Sequence, residues 1–298
     1  MHEERQEHLV LDLQQHMAVK FLEHLEIEVL GSGRVWRPGS SAALTDVQRQ
    51  PRSANVVAAS VVAFADGLYG QQKEDLLNST LLAQLAANKK YDRGRDTLNW
   101  YGIYLSVLEK LGWSLEKQHA NGGPLVPERP LVHRSDVAGL PLSPGRVSQF
   151  RFAQVRVDRP RFTTDMTVLP LLRTRINEDA FNVTQAALET LKGLDDRDRR
   201  VVIFESSSHN AGRGNFQIVA VSGGPGQELR MTIAAVFFVT TERVSRVLSF
   251  PFAGSSTQMF QARDTLTLNA AVYDPIRAQV LQQLGDQASA YIDELMSA

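Results

Sequence analysis

Residues 203–218, IFESSSHNAGRGNFQI, put three hydroxyls and an imidazole in four consecutive positions, Ser206, Ser207, Ser208 and His209. Serine becomes a nucleophile when a base takes its proton, a third group orients that base and N–H donors face the developing oxyanion. His209 is the local base and Ser207 and Ser208 are the candidate nucleophiles. Asn210, Asn215 and the amides of Gly212 and Gly214 are the candidate donors. No G-x-S-x-G elbow is present, and neighbouring side chains on an extended strand point to opposite faces. Two readings therefore stand side by side. One is an acyl-transfer site built on Ser207, Ser208 and His209; the other, favoured here, is a hairpin tip where Ser, Asn and Gly serve turn geometry.

Other clusters carry less chemistry. His8, His16 and His24 are eight residues apart, which turns successive rings by roughly 80° around a helix, so they do not share a face as metal ligands must. Asp195, Asp196 and Asp198 could gather around a hard cation, but Arg197, Arg199 and Arg200 compete for the same oxygens, which favours a solvated charged turn. Gly212-Arg213-Gly214 and Gly31-Ser32-Gly33 lack the strand–loop–helix setting of a phosphate-binding loop. No metal and no cofactor are expected.

Composition narrows the class. Lys plus Arg (32) and Asp plus Glu (33) nearly cancel over 298 residues, so no bulk field draws the chain to nucleic acid. The chain contains no cysteine, which removes disulfides, thiolate metal sites and cysteine nucleophiles. The start, MHEERQEHLVLDLQQH, has no apolar core of the secretory kind. A cytoplasmic location, or release without a Sec signal, is the expectation.

The elements that must position these residues read as follows. Leu9, Leu13, Met17, Phe21 and Leu25 predict one stripe of a helix over residues 6–30 within an N-terminal extension (1–35), ahead of a single α+β domain (36–298). Residues 56–64, VVAASVVAF, predict a buried strand. Helices are predicted over 73–90 and, capped by Asp92, up to Leu111, with Gly112 as the left-handed stop. The second of these is apolar on two faces, as expected of a helix between layers or at an oligomer interface. Proline and glycine crowd 119–147, a connection and a candidate subdivision. Strands at 147–157 and 167–172 and a helix from Asn177 to Gly193 follow. Strands at 200–207, 215–222, 228–240, 244–250 and 257–268 then predict an antiparallel meander in the C-terminal half. Asp274 and Pro275 predict the start of the last helix.

Three segments, KEDLLNSTLLAQLAANKKYDR (73–93), NWYGIYLSVLEKLGW (99–113) and YDPIRAQVLQQLGDQASAYIDEL (273–295), resemble the bacterial family of Evf, the Erwinia virulence factor. The resemblance implies a single α/β fold, a role in colonising an insect host, and a fatty acyl chain held in the interior through a cysteine thioester. Without cysteine that thioester cannot form. An oxygen ester on a serine such as Ser207, a lipid held without a covalent bond, or no lipid are the remaining options. A serine needs a dedicated base where a thiolate does not, so the ester ranks last. The resulting expectation is a soluble, non-enzymatic protein that accommodates a fatty acid or lipid and associates with a host or membrane surface. A serine-dependent acyl transferase or esterase and an oligomeric interaction protein are the alternatives.

Overall fold

The computed structural model describes residues 2–27, 54–68, 70–116, 153–155, 178–210, 212–224, 227–250 and 257–297. Among these, six helices flank an eight-stranded mixed sheet, an α+β architecture. In chain order the elements are α1 (His2–Glu23), β1 (Ala54–Val57), β2 (Ser60–Phe64), α2 (Gly70–Lys90), α3 (Thr97–Lys110), β3 (Trp113–Leu115) and β4 (Ala153–Val155). Then come α4 (Glu178–Gly193), α5 (Arg199–Ser208), β5 (His209–Asn210), β6 (Arg213–Gly224), β7 (Gln227–Thr240), β8 (Thr257–Leu268) and α6 (Ala270–Ser297).

The sheet runs β1-β2-β6-β7-β8-β3, with β4 on β8 and β5 on β6. β6, β7 and β8 form the predicted antiparallel meander, while β2 joins β6 in parallel. β2 and the middle of β7 are apolar at successive positions because two-residue alternation sends side chains to both faces and both are covered. Val219, Val221, Met231, Ile233 and Leu266 face the core under α1, α2, α3 and α6. Phe216, Ile218, Val236, Phe238 and Met259 face the second core, under α4 and α5.

Several local expectations are corrected. Residues 56–64 are not one strand: the chain reverses at Ala58, whose φ is 49°, and β1 and β2 form a hairpin. The strand expected at 200–207 is helix α5. Its Val201, Val202 and Ile203 favour a strand locally, but Asp198 accepts the Arg200 N–H at 2.9 Å as an N-cap, and the buried residues Val201, Phe204 and Ser208 recur at helical spacing. The strand expected at 244–250 is a 3-10 turn, Val247–Ser249. Asp92 does not cap α3; its Oδ1 accepts from the Gly94 and Arg95 amides in the preceding turn. Gly112 is left-handed as expected, with φ of 92°. The strand at 167–172 and the connection at 119–147 lie outside the described residues, and of 147–157 only β4 is described.

The last helix begins at Ala270, earlier than Asp274, because Asn269 Oδ1 accepts the Ala271 N–H at 3.1 Å. Pro275 therefore sits inside the helix, where it has no N–H for the Ala271 carbonyl. Gln15 of α1 supplies that missing donor, with Nε2 to Ala271 O at 2.8 Å. The same packing buries Ala18, Phe21 and Leu22, yet the predicted α1 stripe is not buried as one: Leu9 and Leu13 stay exposed. A four-residue step overshoots the ~3.6-residue turn by ~40°, so a stripe of four such steps winds off the core. The two-faced helix α3 is sealed in the chain's own core, with Trp100, Tyr101, Ile103, Tyr104, Leu105, Val107 and Leu108 all buried. Those faces are not free for an oligomer interface.

Candidate functional site

The fold carries the stretch 203–210 as the end of α5 and a two-residue ladder, His209–Asn210 against Arg213–Gly214. The turn is real, but the serines lie on a helix rather than on a strand. Ser206 Oγ donates to Ile203 O at 3.1 Å and Ser208 Oγ, buried, donates to Glu205 O at 3.4 Å. His209 Nε2 meets Glu205 Oε2 at 3.3 Å across one helical turn. Glu205 Oε2 also accepts the Val247 N–H at 2.8 Å, which ties the 3-10 turn to α5. Glu205 is the residue the sequence reading missed. Its signal was the four-residue spacing to His209, meaningful only once 199–208 is a helix. The arrangement supplies an acid–imidazole pair, with the flanking hydroxyls of Ser206 and Ser208 turned to their own helix carbonyls; Ser207 is half-buried between them.

The charged turn behind α5 holds its carboxylates in internal bonds. Asp195 accepts the Arg197 N–H, Asp196 pairs with Arg246 at 3.1 Å, and the Arg200 guanidinium beside Asp198 keeps that carboxyl below its usual range against the opposing effect of desolvation. Among the described residues no group of three or more His, Asp or Glu side chains could hold a metal ion.

On the opposite face of the sheet lies a polar centre inside the larger core. Arg93, in the α2–α3 connection, donates from Nη1 to Gln84 Oε1 at 3.1 Å and from Nη2 to Gln217 Oε1, and its Cζ stands 4.0 Å over the Trp100 ring. Each amide is oriented by a second bond: Gln84 Nε2 donates to Val57 O at 2.9 Å, and Gln217 Nε2 to Asn215 Oδ1 at 2.9 Å. Asn215 returns the contact through Nδ2 to Arg93 O at 3.1 Å. Buried Nε of Arg93 has no hydrogen-bond partner, while the Tyr104 hydroxyl faces that of Thr80. Burial draws the guanidinium down to about 9 and pushes the Tyr104 phenol up.

A second buried pair sits at the edge of the same core, where Tyr101 Oη donates to Asp264 Oδ2 at 2.8 Å. Desolvation first, and the charge of Glu109 after it, raise Asp264 to about 6 against the Tyr101 bond that lowers it. The native state thus holds this proton more tightly than the unfolded chain does. Its stabilisation is complete below about pH 4 and is lost as pH rises through about 6. Asp264→Asn is expected to exceed the parent by about 1–3 kcal/mol at about pH 8 and to match it near pH 4. Urea unfolding at the two pH values checks this; a gap that does not change with pH contradicts it.

No protein-family model matches the chain, and no curated protein does. Among solved structures it is similar to the Evf virulence factor, at 9% identity over 93% of this chain and 88% of that one, with a TM-score of 0.29. A superposition at that score sets no residue-by-residue correspondence. Among the described residues no helix is long and apolar enough to cross a membrane.

Proposed function

We propose that this chain is a non-enzymatic binding protein that associates with a lipid surface through the outward face of α1. One observation carries the reading: Leu9, Val10, Leu13 and Met17 are 65%, 56%, 58% and 37% exposed. At ~100° per residue these four fall in one arc, next to the arc through which Ala18, Phe21 and Leu22 enter the core. α1 is therefore apolar beyond what the core uses. The patch spans at most a few hundred Å², short of the ~800 Å² each partner gives to a stable dimer, whereas a helix lying in a bilayer interface needs only one apolar face.

Charge refines the choice of surface. The described part of the helix exposes Asp12 and Glu23 against Lys20, so an anionic headgroup offers it no net attraction and apolar insertion supplies the affinity. In this reading any fatty acid or lipid that the protein accommodates is held without a covalent bond, since the chain has no cysteine. A serine-dependent acyl transfer through Ser207 or Ser208 and His209 has less support, because the imidazole Nε2 lies against Glu205.

Co-sedimentation with phosphatidylcholine vesicles tests the proposal. The intact chain is expected to pellet with them, and the double variant Leu9→Glu/Leu13→Glu to lose at least about tenfold in partitioning, since each charge must enter the interface. Undiminished pelleting of the double variant, or binding that requires anionic lipid, rejects it.

A further inference from the structure

Taking α1 as the lipid-facing helix, we propose that the cavity between α1, the end of α3 and the start of α6 receives the phosphodiester of a zwitterionic lipid headgroup, with Lys110 and the Trp113 indole N–H as its donors. The cavity measures about 250 Å³. Pockets for drug-sized ligands run from about 300 Å³ upward, so this one suits a headgroup rather than an acyl chain. Met17 belongs to both features: it lines the cavity, and it completes the exposed arc of Leu9, Val10 and Leu13. The cavity thus borders the apolar arc, as a headgroup borders its acyl chains.

Two donors define the chemistry. Trp113, on β3, forms part of the cavity wall and is fully buried, and its Nε1–H has no hydrogen-bond partner. An unmet buried donor is costly, and an acceptor oxygen in the cavity would satisfy it. Lys110, the last residue of α3, lines the same cavity, and among the described residues its ammonium makes no hydrogen bond or ion pair. Burial draws Lys110 below its usual value while the neighbouring Glu109 opposes the shift. A partly desolvated cation holds an anion more strongly than one in open water. Indole and ammonium both donate only, so both require an acceptor, and the positive charge selects an anionic one. Glu109, also in the lining, limits the negative charge that can enter. A phosphodiester whose charge is offset by a choline ammonium meets that limit, whereas the more highly charged inorganic ion does not.

The indole ¹H–¹⁵N resonance of Trp113 in the full chain is the readout, assigned by its loss in Trp113→Phe. The chain has three tryptophans, and Trp36→Phe and Trp100→Phe identify the other two, so the assignment does not depend on one variant. Glycerophosphocholine carries the headgroup without acyl chains, so its binding does not require insertion of α1. Titration with it is expected to move the Trp113 resonance downfield to saturation, and choline chloride to leave it in place. Lys110→Met should raise the half-saturating concentration at least about tenfold. Leu9→Glu/Leu13→Glu should respond to glycerophosphocholine as the parent does while losing vesicle pelleting, which separates the cavity from the arc. A resonance that glycerophosphocholine does not move means that the cavity holds only water, and this overturns the assignment even where the chain still pellets with phosphatidylcholine. An equal response to inorganic phosphate, or an unchanged response in Lys110→Met, overturns it as well.

Discussion

Gly212→Ala is expected to destabilise the chain by about 4 kcal/mol, the sum of two costs that share no remedy. Gly212 has φ of 76°, in the left-handed region that a side chain strains. A Cβ placed there would stand 2.3 Å from the Thr240 carbonyl oxygen, which is backbone and cannot rotate away. The two strands are already drawn together at this point, since Thr240 N donates to Gly212 O at 2.7 Å. Gly212 directly precedes Arg213, which pairs with Asn210, so the strain falls at the end of the ladder that carries His209. Gly193→Ala is the matched control: nothing lies within 4 Å of its added Cβ, and its effect should stay within about 1 kcal/mol. Urea unfolding of the pair measures the difference, and similar midpoints would contradict the geometry.

Arg277→Met is expected to cost about 3 kcal/mol. Arg277 grips Asp75 through Nε and Nη2 at 2.7 and 2.9 Å, which joins α6 to α2, and Asp75 is buried. Without the guanidinium, Asp75 keeps one neutral side-chain donor, Gln71 Nε2 at 3.0 Å. The penalty therefore belongs to a stranded carboxylate more than to the lost attraction, and the partial exposure of Arg277 moderates it. Removing both charges, as Asp75→Leu/Arg277→Leu, should recover most of the loss. A double-mutant cycle by thermal unfolding gives the answer, and additive losses would show that the two residues do not act as a pair.

What the sequence disclosed follows from how far each signal travels. The helices α2 and α4 and the strands β6, β7 and β8 carry long, regular patterns bounded by their own turn residues and appear where expected, while α3 ends at Gly112 as expected but starts at Thr97 rather than at an Asp92 cap. α5 does not, because its β-branched start favours a strand until the second core takes Val201 and Phe204 at helical spacing. α6 starts earlier than its Asp-Pro pair predicts: that pair is a strong local opening, whereas the donor that satisfies the Ala271 carbonyl with Pro275 inside the helix is Gln15, 256 residues away. The functional stretch shows the same limit. Ser207, Ser208 and His209 are adjacent in sequence and easy to find, whereas the Arg93 centre draws Val57, Gln84 and Gln217 from three separate elements. No spacing rule connects residues that only the sheet and the α2–α3 connection bring together.

Lipid contact through α1 is directly measurable because the chain has no cysteine. A single thiol introduced as Leu13→Cys carries an environment-sensitive fluorophore at the centre of the exposed arc, and Val202→Cys, on the exposed side of α5, carries it elsewhere. On addition of phosphatidylcholine vesicles a blue shift is expected at position 13 and none at position 202. An unchanged spectrum at 13, or equal shifts at both positions, would contradict it.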